Sequence, residues 1–149
     1  MENEEKLGKV ISMLSRNIKR TLNEEVSKFG ITYNQTVFLK FIADKSKEGK
    51  VYAKDLENEF DKRKSTVAEI IQLLEQKGLL KRESLCDDNR FKELVLTQKA
   101  KELLVKVNKT ILNMDYNLLK DISEEEYKTF IETSNKILKN INERSKKND

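Results

Sequence analysis

The chain has 149 residues, 37% apolar and 38% charged, with a formal net charge of +4; this is one domain's worth and polar for a monomer, so a partner is expected to complete the core. With no histidine, the commonest general base and the commonest metal ligand are both missing, and catalysis, cofactors and a metal site rank far below binding. One cysteine cannot form an internal disulfide, no apolar run approaches the roughly 20 residues of a membrane span, and the acidic Met1-Glu2-Asn3-Glu4-Glu5 lacks signal-peptide character, which together predict a cytoplasmic protein.

No proline and only four glycines interrupt the chain, so a mainly α fold is the default. From Glu5 to Phe29, Leu7, Val10, Ile11, Leu14, Ile18, Leu22, Val26 and Phe29 form a helical stripe of about seven turns, closed by Gly30. A helix this long has too little of its own subunit to pack on and is a candidate dimer element. Thr32 and Gln35 form a capping box that opens a second helix, with Val37, Phe38, Phe41 and Ile42 facing inward. Lys45 to Lys50 reads as a loop, and Val51-Tyr52 as a single short strand. Lys54 to Phe60 is a short helix with Leu56 and Phe60 on one face, and Asp61-Lys62-Arg63 is the turn that follows it.

From Lys64 to Lys77 the apolar residues Val67, Ile70, Ile71 and Leu74 recur at i, i+3, i+4 and i+7, the stripe of a docked amphipathic helix. Its other face carries Ser65, Ala68, Glu69, Gln72 and Gln76, and Gly78 ends it. Leu79 to Leu85 and Arg90 to Leu96 are strand-like segments, joined by the turn formers Cys86-Asp87-Asp88-Asn89, so a hairpin projects Arg90 at its tip. Thr97 is the N-cap of a helix from Gln98 to about Asp121, striped by Leu103, Leu104, Val107, Ile111, Leu112, Met114, Leu118 and Leu119. Asp121-Ile122 makes a tight corner. Ser123 and Glu126 form a second capping box for a final helix bearing Tyr127, Phe130, Ile131, Ile137, Leu138 and Ile141. Residues from Arg144 to Asp149 are polar and expected to fray.

The order helix, turn, helix, hairpin resembles a winged helix-turn-helix, and three places make the resemblance specific. Ser65-Thr66-Val67, Leu74-Glu75, Gly78-Leu79 and Arg82 are similar to the recognition helix and first wing strand of the multiple antibiotic resistance regulator (MarR) family. Asp88-x-Arg90, followed by Leu96-Thr97, resembles that family's wing signature. The likeness covers nearly the whole chain. It implies a single MarR-like domain over 1–149, mainly α with a small β wing: a winged helix-turn-helix at 31–97 and dimerisation helices at 1–30 and 98–149. It further implies a homodimer whose first and last two helices interdigitate across a two-fold axis, and a wing arginine, Arg90, that enters the minor groove while Asp88 holds it.

Net charge does not by itself indicate nucleic acid, because Ala53 to Thr97 holds nine basic and ten acidic residues, a net of −1. Placement matters more. Lys62, Arg63 and Lys64 open the recognition helix, Arg82 lies in the first wing strand, and Arg90 and Lys92 flank the tip; in the resembled fold these face phosphates of double-stranded DNA. Lys64, Ser65 and Thr66 belong at a helix N-terminus, where free N–H groups favour an anion, although hydroxyls suit that position as simple helix starters too. Base edges fall to Ala68, Glu69 and Gln72, with Gln72 suited to adenine and Glu69 to cytosine. An acidic residue at position 69 departs from the common family pattern. A two-fold dimer presents two such helices about 34 Å apart and calls for a pseudo-palindromic operator.

The resemblance also implies control by a small aromatic effector near Arg16, Tyr33 and Tyr116, residues that equally suit helix boundaries and interfaces. Glu124-Glu125-Glu126 reads as the acidic first turn of a helix rather than as a catalytic or metal cluster. Cys86 reads as an ordinary strand-end thiol, with oxidation sensing as the sharper option. The functional expectation is a DNA-binding transcription regulator, most simply a repressor and no enzyme. The alternative is a protein-interaction module or anti-repressor on a winged-helix scaffold, favoured by Glu69 and the near-neutral winged region.

Overall fold

Two glycines with positive φ, Gly30 at 75° and Gly78 at 68°, divide the first half of the chain. The computed structural model describes residues 6–84 and 91–146. Its elements run α1 (Leu7–Ser27), α2 (Tyr33–Lys45), α3 (Ala53–Phe60), α4 (Lys64–Gln76), β1 (Leu80–Ser84), β2 (Lys92–Leu96), α5 (Gln98–Leu118) and α6 (Glu124–Lys146). The chain forms two compact units, Met1–Leu112 and Asn113–Asp149, and the division falls within α5.

Local chemistry accounts for most of the boundaries. Thr32 caps α2 as the sequence requires: its Oγ1 accepts the Gln35 N–H at 3.1 Å, and Gln35 Oε1 accepts the Thr32 N–H at 3.2 Å. The Thr97 hydroxyl accepts from the Ala100 N–H at 3.2 Å and opens α5. Ser123 and Glu126 close the capping box of α6. That helix carries Glu124, Glu125 and Glu126 in its first turn. α5 ends at Leu118, three residues short of the expected Asp121, which instead takes φ 62° at the corner before α6.

The core of the first unit gathers one face from each element. Phe38, Leu39 and Ile42 of α2, Leu56 of α3, and Val67, Ile71 and Leu74 of α4 are buried together with Leu94 and Leu96 of β2 and Ala100, Leu104 and Val107 of α5. Phe60 stacks on Phe38 with ring centroids 4.4 Å apart, and Phe41 meets its edge at 5.5 Å. This aromatic trio fixes α3 against α2. Leu39, Thr36 and Gln35 are buried beyond the expected α2 stripe.

β1 and β2 pair antiparallel, in register from Leu80 opposite Leu96 to Ser84 opposite Lys92. Val51-Tyr52, expected as a strand, is not one. Its carbonyl at Val51 accepts a single bond from the Leu94 N–H at 2.8 Å, and one bond does not make a ladder. Leu79 and Phe91, expected within the strands, lie just outside β1 and β2, and the expected ends at Leu85 and Arg90 lie outside the described residues.

The long helices leave apolar faces uncovered. On α1 only Leu22 and Val26 are buried, whereas Leu7, Ile11, Leu14 and Ile18 are exposed. In the second unit Tyr127, Phe130, Ile131, Leu138 and Ile141 of α6 are all exposed. No described helix is long and apolar enough to cross a membrane.

Candidate functional site

The helix pair α3–α4 sets the site. Asp61 takes a left-handed conformation (φ 46°, ψ 49°) at the end of α3, and the Lys62 N–H returns to the Glu57 carbonyl at 3.1 Å. This reversal sends Lys62, Arg63 and Lys64 outward, all exposed, into the start of α4. Arg63 occupies the N-cap, and no side chain caps the helix. The first N–H groups of α4 therefore stand open beside three cations, which suits an anion. Ser65, Ala68, Glu69 and Gln72 lie exposed along the outer face, and Thr66 is half-buried. The buried stripe beneath them, Val67, Ile71 and Leu74, holds that face in place.

A groove of about 550 Å³ runs between α4 and the hairpin. Lys64, Ala68 and Ile71 form one wall, and Arg82, Phe91, Lys92 and Leu94 the other, with Tyr52, Lys54 and Glu57 at the end contributed by α3 and the residue before it. Phe91 is 68% exposed and meets Tyr52 edge-on, with centroids 6.5 Å apart. Two of the groove's cations are engaged. Arg82 forms a bidentate pair with Glu75 at 2.9 and 2.6 Å, and Lys54 pairs with Glu57 at 3.1 Å. The hydrogen bond to Glu75 raises the Arg82 pKa above its ordinary value, against the opposing pull of burial. Lys62, Arg63, Lys64 and Lys92 have no ion-pair partner among the described residues. Asp88 and Arg90, the expected wing pair, and Cys86 lie outside the described residues.

Solved structures share this fold. MepR from Staphylococcus aureus in complex with DNA superposes with a TM-score of 0.78 at 22% identity, covering 93% of this chain and 99% of that one. A cysteine-to-serine variant of MarR from E. coli gives 0.77 at 21% identity, covering 91% and 98%. The same MarR variant complexed with operator DNA gives 0.76 at 22% identity, covering 89% and 93%. The chain has the MarR-type winged-helix fold. No family model matches the sequence.

Within the MarR-type fold α4 is the second helix of the helix-turn-helix and β1–β2 the base of the wing. Of the predicted contact residues, the structure brings Lys62, Arg63, Lys64, Ser65, Thr66, Ala68, Glu69 and Gln72 onto one helix and its leading turn, with Lys92 across the groove. Arg82, expected to face phosphates, has its guanidinium taken up by Glu75. Sequence reasoning missed Tyr52, Lys54 and Phe91 as groove residues. The usable signal was Phe91 itself, an aromatic just before β2 and out of phase with its buried residues Leu94 and Leu96.

The three expected effector residues lie on different elements. Arg16 is exposed on α1, and Tyr33 is half-buried at the start of α2, its N–H held by Asn23 Oδ1 at 2.8 Å. Tyr116 is 81% exposed and belongs to the second unit, where it lines a cleft of about 530 Å³ with Tyr127 at the α5–α6 corner.

Proposed function

We propose that this chain is a sequence-specific transcription regulator that binds double-stranded DNA as a homodimer and acts as a repressor on a pseudo-palindromic operator. The observation that carries the reading is the outer face of α4: Ser65, Ala68, Glu69 and Gln72 exposed on a rigidly seated helix, with Lys62, Arg63 and Lys64 at its open N-terminus and Lys92 across the groove. Cations at the rim position a duplex through its phosphates, and the polar helix face reads base edges. The MarR-type neighbours bound to DNA and to operator DNA support the same use of the fold.

The exposed stripes of α1 and α6 support the dimer, because a single chain leaves Ile11, Leu14, Phe130 and Leu138 in water. The cytoplasm is the expected compartment, and control by a small aromatic acid or phenol is part of the same proposal. Glu69 favours a second reading, a protein-binding or anti-repressor role, because an acidic side chain in the middle of the reading face opposes phosphate approach.

Fluorescence anisotropy of a labelled duplex from the promoter beside the protein's own gene, titrated at two salt concentrations with random duplex as competitor, separates the two. Competitor-resistant binding that saturates at two chains per site is the expected result. Weak binding, equal for both duplexes and lost in modest salt, would move the protein-interaction reading to the front.

A further inference from the structure

The C-terminal end of the recognition helix is fastened on two sides by lysine. The Lys77 ammonium donates to the Gly30 carbonyl at 2.7 Å, 47 residues earlier in the chain, and to Gln35 Oε1 at 3.0 Å. That Gln35 oxygen also receives the Thr32 N–H, so Lys77 joins the capping box that begins α2. On the other side the Lys77 carbonyl accepts from Lys99 Nζ at 2.7 Å, and the Gly78 carbonyl from Thr97 Oγ1 at 2.7 Å, both from the start of α5. Two consecutive residues thus connect α4 to the corner after α1 and to the first turn of α5. None of these bonds involves a carboxylate. Lys77 spends its charge on two neutral oxygens of a corner that is already capped.

From this geometry we infer that Lys77 is a positioning residue, which sets the direction of the recognition helix relative to the dimerisation helices and thereby the separation of the two recognition helices in the dimer. The inference rests on the proposed DNA-binding dimer. Apolar contacts at this end, through Leu74 and Leu79, resist separation but are indifferent to small rotations, whereas hydrogen bonds are directional. The lever is long. α4 has 13 residues and is about 20 Å in length. A tilt of about 10° at Lys77 moves Lys64 by roughly 3 Å, close to the rise of one base pair. Loss of the tie therefore loosens the demand on operator spacing rather than abolishing contact with a half-site.

The test uses the full-length protein. A duplex is selected by the wild type from a random library, and variants of it are made with one base pair inserted or removed between the half-sites, together with a single half-site duplex. The wild type is expected to lose at least about tenfold in affinity on either altered spacing, within the usual range of coupling between sites. Lys77→Met is expected to bind the single half-site as the wild type does, while its affinities for the three spacings converge to within about threefold. Lys99→Met, which removes one of the two bonds on the α5 side at an exposed residue and leaves that from Thr97, is expected to fall between the two and keeps the test intact if Lys77→Met unfolds. Variant spacing profiles parallel to that of the wild type, with the wild type still discriminating, would overturn the inference and leave DNA binding standing. A wild type that selects no sequence would overturn both.

Discussion

Arg82 reaches back across the Gly78 turn to grip Glu75 with two parallel hydrogen bonds, Nε at 2.9 Å and Nη2 at 2.6 Å. The pair ties the first wing strand to the last turn of α4. It also neutralises a cation on the wall of the groove. Both side chains are partly in water, 42% and 26% exposed, so the pair is worth no more than about 1 kcal/mol. Arg82→Ala is therefore expected to lower stability by up to that amount and to leave the salt dependence of DNA binding unchanged. Glu75→Gln is expected to steepen that dependence by about one phosphate contact, because it releases the guanidinium toward the duplex. Denaturant melts and anisotropy at several salt concentrations check both; a shallower salt slope in Arg82→Ala would return Arg82 to the phosphate contacts.

That pair shows where sequence reading stops. The capping boxes at Thr32/Gln35 and Ser123/Glu126, and the cap at Thr97, were legible because each partner lies within three residues and the chemistry is local. The α4 stripe was legible for the same reason, since a period of 3.6 needs no knowledge of what it packs on. The Arg82–Glu75 pair exists only once Gly78 has turned the chain, and the Lys77–Gly30 bond only once α1, α2 and α4 are assembled. Val51-Tyr52 failed as a strand for the converse reason. Its composition suits β structure, but β2, which pairs with β1 along its whole length, offers it only one hydrogen bond.

The cations on either side of the groove that have no ion-pair partner among the described residues should each report on the phosphate backbone. Lys64→Ala and Lys92→Ala are each expected to weaken binding about equally for all duplexes, and to reduce the slope of log affinity against log salt by about one. Gln72→Ala should instead cost about 1–3 kcal/mol on the selected sequence and little on random duplex. Anisotropy titrations of the three variants on both duplexes make the comparison. Equal losses on both duplexes for Gln72→Ala would remove it from base reading.

Gly78 ends α4 at φ 68°, and a Cβ built there would meet only Lys99 Nζ at 3.9 Å. Space is available, so the cost of a side chain is conformational. Gly78→Ala is expected to destabilise the protein by about 1 kcal/mol through the left-handed backbone alone. Thermal or urea unfolding measures it. An unchanged midpoint would mean the turn relaxes out of the left-handed region without penalty.

A second copy is the proposed cover for the uncovered stripes of α1 and α6. Leu14→Asp and Leu138→Asp, at residues 43% and 57% exposed in the single chain, cost nothing if those faces stay in water. Buried between two copies, each would place a carboxylate in an apolar interface, and dissociation is the expected result. Sedimentation should show dimers for the wild type and monomers or precipitate for the variants. Soluble variants of unchanged mass would place the dimer contact elsewhere.

Glu126 gives the last helix a titratable cap. Its Oε2 accepts the Ser123 N–H and the Ser123 hydroxyl, each at 2.8 Å, and the Glu126 N–H donates to Ser123 Oγ at 3.2 Å. The backbone hydrogen bond, followed by that from the hydroxyl, holds the carboxyl below its ordinary pKa of 4.5. A depressed pKa in the folded state means the charged form is favoured there, so the contribution is complete above the unfolded value and is lost as pH falls through the folded one. Glu126→Gln keeps an oxygen to accept from Ser123 but has no charge to lose. The melting temperature of the wild type should exceed that of the variant near neutrality, and the gap should narrow as the pH drops below 4.5. A gap that stays constant from neutral pH into strong acid would show that the charge of Glu126 plays no part in holding the helix start.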